Sequence, residues 1–176
     1  VLLCRFSEQD TRTYKTANAA VEALERFEGE RSGLWTYRNG DGNPVGVVVR
    51  WDKDGDKTYK QVSRSSDGWI CRGMPEPRPL YGLPGLAAAE RVFITEGEKA
   101  ADAAHEIGLT ATTASQGAHS PDKTDWSPLA GKECVILPDN NEPGKEYAGA
   151  VSELLAKLTP PAMVKVALSS SPDPEV

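Results

Sequence analysis

The sequence predicts an α/β protein: a four-stranded parallel sheet flanked by helices, preceded by a small α+β segment of one helix and an antiparallel meander. Three observations predict it. From residue 91 onward, short apolar runs alternate with helical patterns, as in βαβ units whose right-handed crossovers build a parallel sheet. Between residues 34 and 72 the runs are short, β-branched and aromatic, and Asn-Gly and Asp-Gly separate them, as in tight hairpins. Between these parts lies "GMPEPRPLYGLPGL", residues 73–86, a proline-rich stretch that suits neither a helix nor a central strand.

The elements follow in order. "TANAAVEALERFE", residues 16–28, reads as a helix, with Thr16 or Asn18 as its cap and Ala20, Leu24 and Phe27 recurring at helical spacing. Gly29 ends it. "LWTYR", "PVGVVVRW", "KTYKQVS" and "GWICR" are the strands of the meander. The proline-rich stretch reads as a tether, which places a boundary near residue 80. The expected organisation is a small α+β subdomain over 1–80, an α/β domain over 81–170 and a frayed tail over 171–176.

In the second part, "RVFITE" is a strand and "EKAADAAHEIG" a helix closed by Gly108. "LTATTA" is the second strand. "SQGAHSPDKTDWSPLAG" is a long loop with a helical turn at 127–130, and "ECVILP" is the third strand. "PGKEYAGAVSELLAKL" places Ala148, Val151, Leu154, Leu155 and Leu158 on one side of a helix, and "MVKVAL" is the fourth strand. Near-continuous apolar runs suit strands covered on both faces.

Composition narrows the class. Hydrophobic residues make up 39% and charged residues 26%, as in globular proteins that do not enter membranes. No apolar run approaches the roughly 18 residues of a spanning helix. The start lacks the basic and apolar regions of a signal peptide, and it lacks Met, so the chain reads as a fragment of something longer. Three scattered cysteines, Cys4, Cys71 and Cys134, argue against a disulfide framework and for a reducing, cytoplasmic location. Cys134 reads as a core residue; Cys4 alone says almost nothing about an upstream metal site. The net charge of −6 is unevenly spread, with a balance of +1 over residues 1–80 and −7 over 81–176. An acidic second half can hold cations, and a mildly basic first half is free to meet phosphates.

Chemistry in an open parallel sheet belongs at the carboxyl ends of the strands. Two such ends carry acids: Glu96-Gly97-Glu98-Lys99 after "RVFIT", and Asp139-Asn140-Asn141-Glu142 after "VILP". If the strands are neighbours, Glu96 and Asp139 face one crevice, where two carboxylates repel unless a cation or proton sits between them. Mg²⁺ or Mn²⁺ suits such a pair, because Mg²⁺ takes oxygen ligands, keeps waters and often shares phosphate oxygens. The chemistry implied is phosphoryl or nucleotidyl transfer. The plainer alternative is that these acids cap the following helices, which Glu98 suits well, or are solvated turn residues, as Glu142 could be.

"VFITEGEKAADAAHEIGLTATT" together with "KTDWSPLAGKECVILPDNNEPG" resembles the Toprim domain of bacterial and phage primases, above all the primase-like segments of primase–helicase proteins from phages and mobile elements. The likeness covers about residues 79–168 and rests on "EGEKAADA", "DWSPLAG" and "PDNNEPG"; the β-rich segment before it also resembles what precedes Toprim in those proteins. The resemblance implies a compact sheet of four parallel strands. It implies Glu96 and Asp139 as catalytic residues and as metal ligands, with Asn141 where the family carries the second acid of an Asp-x-Asp pair. An Asn oxygen can ligate a hard cation but brings no charge. The missing attraction could reach about 4 kcal/mol for a charge pair 4 Å apart at an effective dielectric near 20.

Lys99 and Lys145 stand near helix N-termini, where they could meet a nucleotide's phosphates or simply be solvated. His119 in "SQGAHS" could belong to a nucleotide cradle or to an ordinary loop, and Trp126 reads as a packing anchor. Trp35, Tyr37, Trp51, Tyr59 and Trp69 interleave with basic residues, which suits either single-stranded template or a small core. The resemblance implies a primase: RNA primers made on a single-stranded DNA template from nucleoside triphosphates, with Mg²⁺, alongside a helicase domain or subunit outside this chain and no membrane. No GxxxxGK[ST] motor motif is present. The alternatives are a catalytically degenerate Toprim module that binds nucleic acid or a replication partner, and a Toprim nuclease.

Overall fold

Asp54 and Gly55 adopt φ of 53° and 87°, and this left-handed pair sets the register of the first sheet. Positive φ at both central residues closes a two-residue hairpin whose twist matches the strands, and Asp-Gly accommodates it well. In this computed structural model, which describes residues 12–115 and 121–167, the hairpin joins β3 (Pro44–Lys53) to β4 (Asp56–Ser65), paired from Lys53 opposite Asp56 to Gly46 opposite Ser63. Cys4, His119 and the tail at 171–176 lie outside the described residues.

The chain forms two compact units: the first runs to Pro75 without Arg38–Gly42, and the second takes in Arg38–Gly42 and the chain from Glu76 onward. The first contains an antiparallel sheet in the order β1-β5-β4-β3-β2, with β1 at Thr13–Tyr14, β2 at Gly33–Arg38 and β5 at Gly68–Ile70. Helix α1 (Ala17–Glu28) starts at Thr16, whose hydroxyl accepts from Ala19 N at 3.1 Å, and stops at Gly29. Its buried stripe of Ala20, Val21 and Leu24 joins Val47, Val49, Trp51, Val62 and Trp69 in one core. Trp51 Nε1 donates to the Gly29 carbonyl at 2.9 Å, tying the helix end to the sheet. The β1 strand has no signal in the sequence, because two residues carry no period.

The second unit is the parallel sheet, in the order β7-β6-β8-β9: β6 Arg91–Thr95, β7 Ala111–Thr112, β8 Glu133–Leu137 and β9 Met163–Val166. Alternation along β6 assigns the faces. Val92 and Ile94 join the core under α4 (Glu142–Ala156), while Phe93 packs with Ala101 and Ala104 of α3 (Glu98–Glu106). Helices therefore cover both faces, as the α/β class requires. Cys134 is fully buried, and burial pushes its thiol up to about 11, as befits a core residue. Glu133 ties three strands together through Lys165 at 2.7 Å and Arg91 at 2.8 Å, which hold its carboxyl below the usual range.

Residues 73–86 are not the tether their prolines suggested. Leu80 and Leu86 are buried in the α4-side core, and α2 (Leu83–Leu86) turns there. Tyr81 N donates to the Thr113 carbonyl at 3.1 Å and Tyr81 O accepts from Thr112 Oγ1 at 2.7 Å, so the segment runs beside β7. Proline removes amide donors, but the apolar residues between the prolines still fill a core. Leu80→Ala is expected to lower stability by about 2–5 kcal/mol in urea unfolding. A residue on a free tether would change it by no more than about 0.5 kcal/mol.

Candidate functional site

β6 and β8 are hydrogen-bonded neighbours with Thr95 opposite Leu137, so the loops that follow them leave the carboxyl edge of the sheet side by side. The first is Glu96-Gly97, which leads directly into α3. The second is Pro138-Asp139-Asn140-Asn141, which leads into α4. Glu96 Oε1 accepts from the Asp139 amide at 3.0 Å. The acid of one loop thus holds the backbone of the other. Within the second loop, Asn141 N donates to the Asp139 carbonyl at 2.9 Å and keeps the turn tight.

Asn141 is the N-cap of α4: its backbone is extended, and its Oδ1 accepts from Gly144 N at 2.8 Å. Asn caps helices as well as Asp does, so the cap alone does not require an acid here. Pro143 and Gly144, which the sequence placed at the start of a helix, lie in the first turn of α4. Proline is tolerated there because its missing amide would be unpaired anyway. Gly144 is buried against Asp139 and Glu96.

The other proposed residues fall in different places. Glu96 is half-buried and Asp139 exposed, so the pair is open to solvent on the Asp139 side. Lys99 is exposed on the first turn of α3. Lys145 pairs with Glu142 at 3.1 Å on the surface of α4. Glu98 is buried at the start of α3, where the helix dipole favours a carboxylate. Trp126 is buried in the α4-side core and its Nε1 donates to the Pro121 carbonyl at 2.7 Å, as a packing anchor does. In the first unit, Trp35, Tyr37, Trp51 and Trp69 are buried; of the five aromatics named there, Tyr59 alone keeps half its surface exposed, with the Arg50 guanidinium 5.9 Å from its ring centre.

Sequence reasoning missed Tyr147. It is fully buried beneath the site, and its hydroxyl donates to the Thr95 carbonyl at 3.1 Å, the last residue of β6. Burial pushes its phenol above the ordinary range, and the charges of Glu96 and Glu98 add to this, so it stays a neutral donor. The signal was present: a polar-tipped aromatic inside the apolar stripe of α4. Tyr81 was missed as well; its hydroxyl donates to Asp102 at 2.7 Å, fixing α3 to the segment that packs beside β7.

Among the described residues, no group of three or more His, Cys, Asp or Glu side chains is arranged to hold a metal ion. The donors present still suit a hard divalent cation held jointly with a substrate. Asp139 offers an exposed carboxylate, and Glu96 a half-buried one beside it. Mg²⁺ often takes one or two carboxylates, with water and phosphate oxygens completing its shell.

No family model matches the chain, and no curated protein matches it. Solved structures do. The primase fragment of the bacteriophage T7 primase–helicase protein superposes with a TM-score of 0.53 at 18% identity, over 91% of this chain and 67% of that one. The primase domains in a bacteriophage T7 lagging-strand DNA polymerase complex, bound to an RNA/DNA hybrid and dTTP, give 0.54 at 18% identity, over 92% and 82%. The E. coli primase catalytic core gives 0.54 at 20% identity, over 83% of this chain and 46% of that one, so this chain spans less than half of the bacterial core. At such identities the likeness is one of fold: a parallel α/β sheet with an accompanying antiparallel sheet, as in primase catalytic cores. That is the Toprim/primase fold that the sequence resemblance implied.

The cap at Asn141 gives a direct test of local structure. Asn141→Ala is expected to cost about 1 kcal/mol in urea unfolding, whereas Asn141→Asp keeps the cap and the stability.

Proposed function

We propose that this chain is the catalytic part of a primase-like protein, joining ribonucleotides on a single-stranded DNA template in a Mg²⁺-dependent nucleotidyl transfer. The observation that carries this reading is the contact between Glu96 Oε1 and the Asp139 amide, which puts two strand-end acids on adjacent loops of a primase-type fold. Glu96 and Asp139 would hold the ion, with the Asn141 oxygen in support. When bound, Mg²⁺ polarises phosphate and favours the attacking oxygen. The chain's own residues position the rest. Glu96 fixes the second loop, and Asp139 presents its carboxylate to solvent and substrate. Lys99 and Lys145, exposed on the first turns of α3 and α4, would meet triphosphate oxygens near helix N-termini. Nucleoside triphosphates and single-stranded DNA are the substrates, and a helicase domain or subunit is the expected partner. Template contact in the first unit falls to exposed basic residues and Tyr59, since the other four aromatics are core.

A second reading has its own support. Asn141 brings no charge to the ion site, and its oxygen already accepts from Gly144 N in the helix cap. That favours a non-catalytic module that binds nucleic acid or a replication partner. A nuclease would share the metal pair but cleave.

Mn²⁺ titration with and without a nucleoside triphosphate, combined with ribonucleotide incorporation on single-stranded DNA, separates the three. A primase gives saturable Mn²⁺ binding that the nucleotide strengthens and Glu96→Ala removes, together with primer-length products. Asn141→Asp should tighten Mn²⁺ by about tenfold or more, because a unit charge is restored beside the ion. No saturable binding sensitive to Glu96→Ala supports the non-catalytic module, and shortened DNA supports the nuclease.

A further inference from the structure

We propose that Gly144 is a positioning residue. By carrying no side chain in the first turn of α4, it lets the Glu96 carboxylate sit on the Asp139 amide and so fixes the direction of the Asp139 carboxylate. The inference rests on the reading of Glu96 and Asp139 as the ion-binding pair.

A Cβ added at Gly144 would lie 2.5 Å from Glu96 Oε1 and 3.0 Å from the Asp139 carbonyl carbon, and it would strike the Asp139 carbonyl oxygen. The Glu96 side chain could swing aside, but the Asp139 carbonyl is backbone and can move only with its loop. The helix cannot retreat freely either, because Gly144 N is bonded to Asn141 Oδ1 in that same loop. Displacement therefore falls on the Glu96–Asp139 contact itself. Glycine inside a helix is unfavourable on backbone grounds, and at Gly144 the close approach of Glu96 and Asp139 supplies a steric reason for it. Gly149, further along α4, is the internal comparison: an added Cβ there meets nothing within 4 Å.

The test is carried out on the full chain with two readouts: the NMR signal and hydrogen exchange of the Asp139 amide, and its broadening by Mn²⁺. In Gly144→Ala, the Asp139 amide is expected to lose the shift of a carboxylate-bonded proton and to exchange about tenfold faster, since bonds to charged groups are the stronger ones. Mn²⁺ broadening is expected to require about tenfold more metal. Gly149→Ala and the core variant Val151→Ala should leave both readouts unchanged; Val151→Ala destabilises the fold without touching the loops, so a merely structural role for Gly144 would give the same pattern as this variant. A folded Gly144→Ala with an unmoved Asp139 amide overturns the proposal. If Gly144→Ala does not fold, adding Glu96→Ala removes one struck group and frees the Asp139 loop, so folding should return; failure of that rescue also overturns it. If the parent chain shows the amide contact but no Mn²⁺ effect, the ion-binding reading fails separately, and the amide alone decides the role of Gly144.

Discussion

The hydrogen bond from the Asp139 amide to Glu96 Oε1 is the constraint on which the rest of the proposed site depends. It is a bond from a backbone donor to a carboxylate oxygen, a class that is stronger than neutral pairs when the carboxylate is charged. It can form only because β6 and β8 are adjacent and in register, so that both loops leave the sheet at the same level. Adjacency follows in turn from the crossovers: β7 is placed on one side of β6 and β8 on the other, the change of direction at which open α/β sheets present their ligand crevice.

Several neighbours serve that contact without belonging to the acid pair. Tyr147 supports the end of β6 from inside the core through the Thr95 carbonyl. Asn141 anchors the start of α4 to the second loop, and Gly144 gives the helix clearance to approach. One side-chain oxygen, one missing side chain and one buried phenol define the floor beneath Glu96 and Asp139. The proposed chemistry needs such a floor, because carboxylates that share an ion must be held in place before the ion arrives.

Much of this was legible in the sequence. The parallel sheet could be read from apolar runs alternating with helical patterns, and the meander from Asp54-Gly55 and its kin, because those signals are local. Glu96 and Asp139 could be read as strand-end acids for the same reason. What was not legible depended on tertiary contact. The proline-rich segment looked like a tether, since proline marks local backbone preference and says nothing of where Leu80 and Leu86 are buried. Four aromatics of the first unit could have faced a nucleic acid or a core, and only the packing of Trp35, Tyr37, Trp51 and Trp69 decides between the two.

A crystal structure of the chain with Mn²⁺ and a nucleoside triphosphate tests the proposed site most directly. The expected result is one ion touched by carboxylate oxygens of both Glu96 and Asp139 and by phosphate oxygens, with the Asp139 amide still on Glu96. An ion bound elsewhere, or Asp139 turned away from Glu96 in the presence of both ligands, contradicts it.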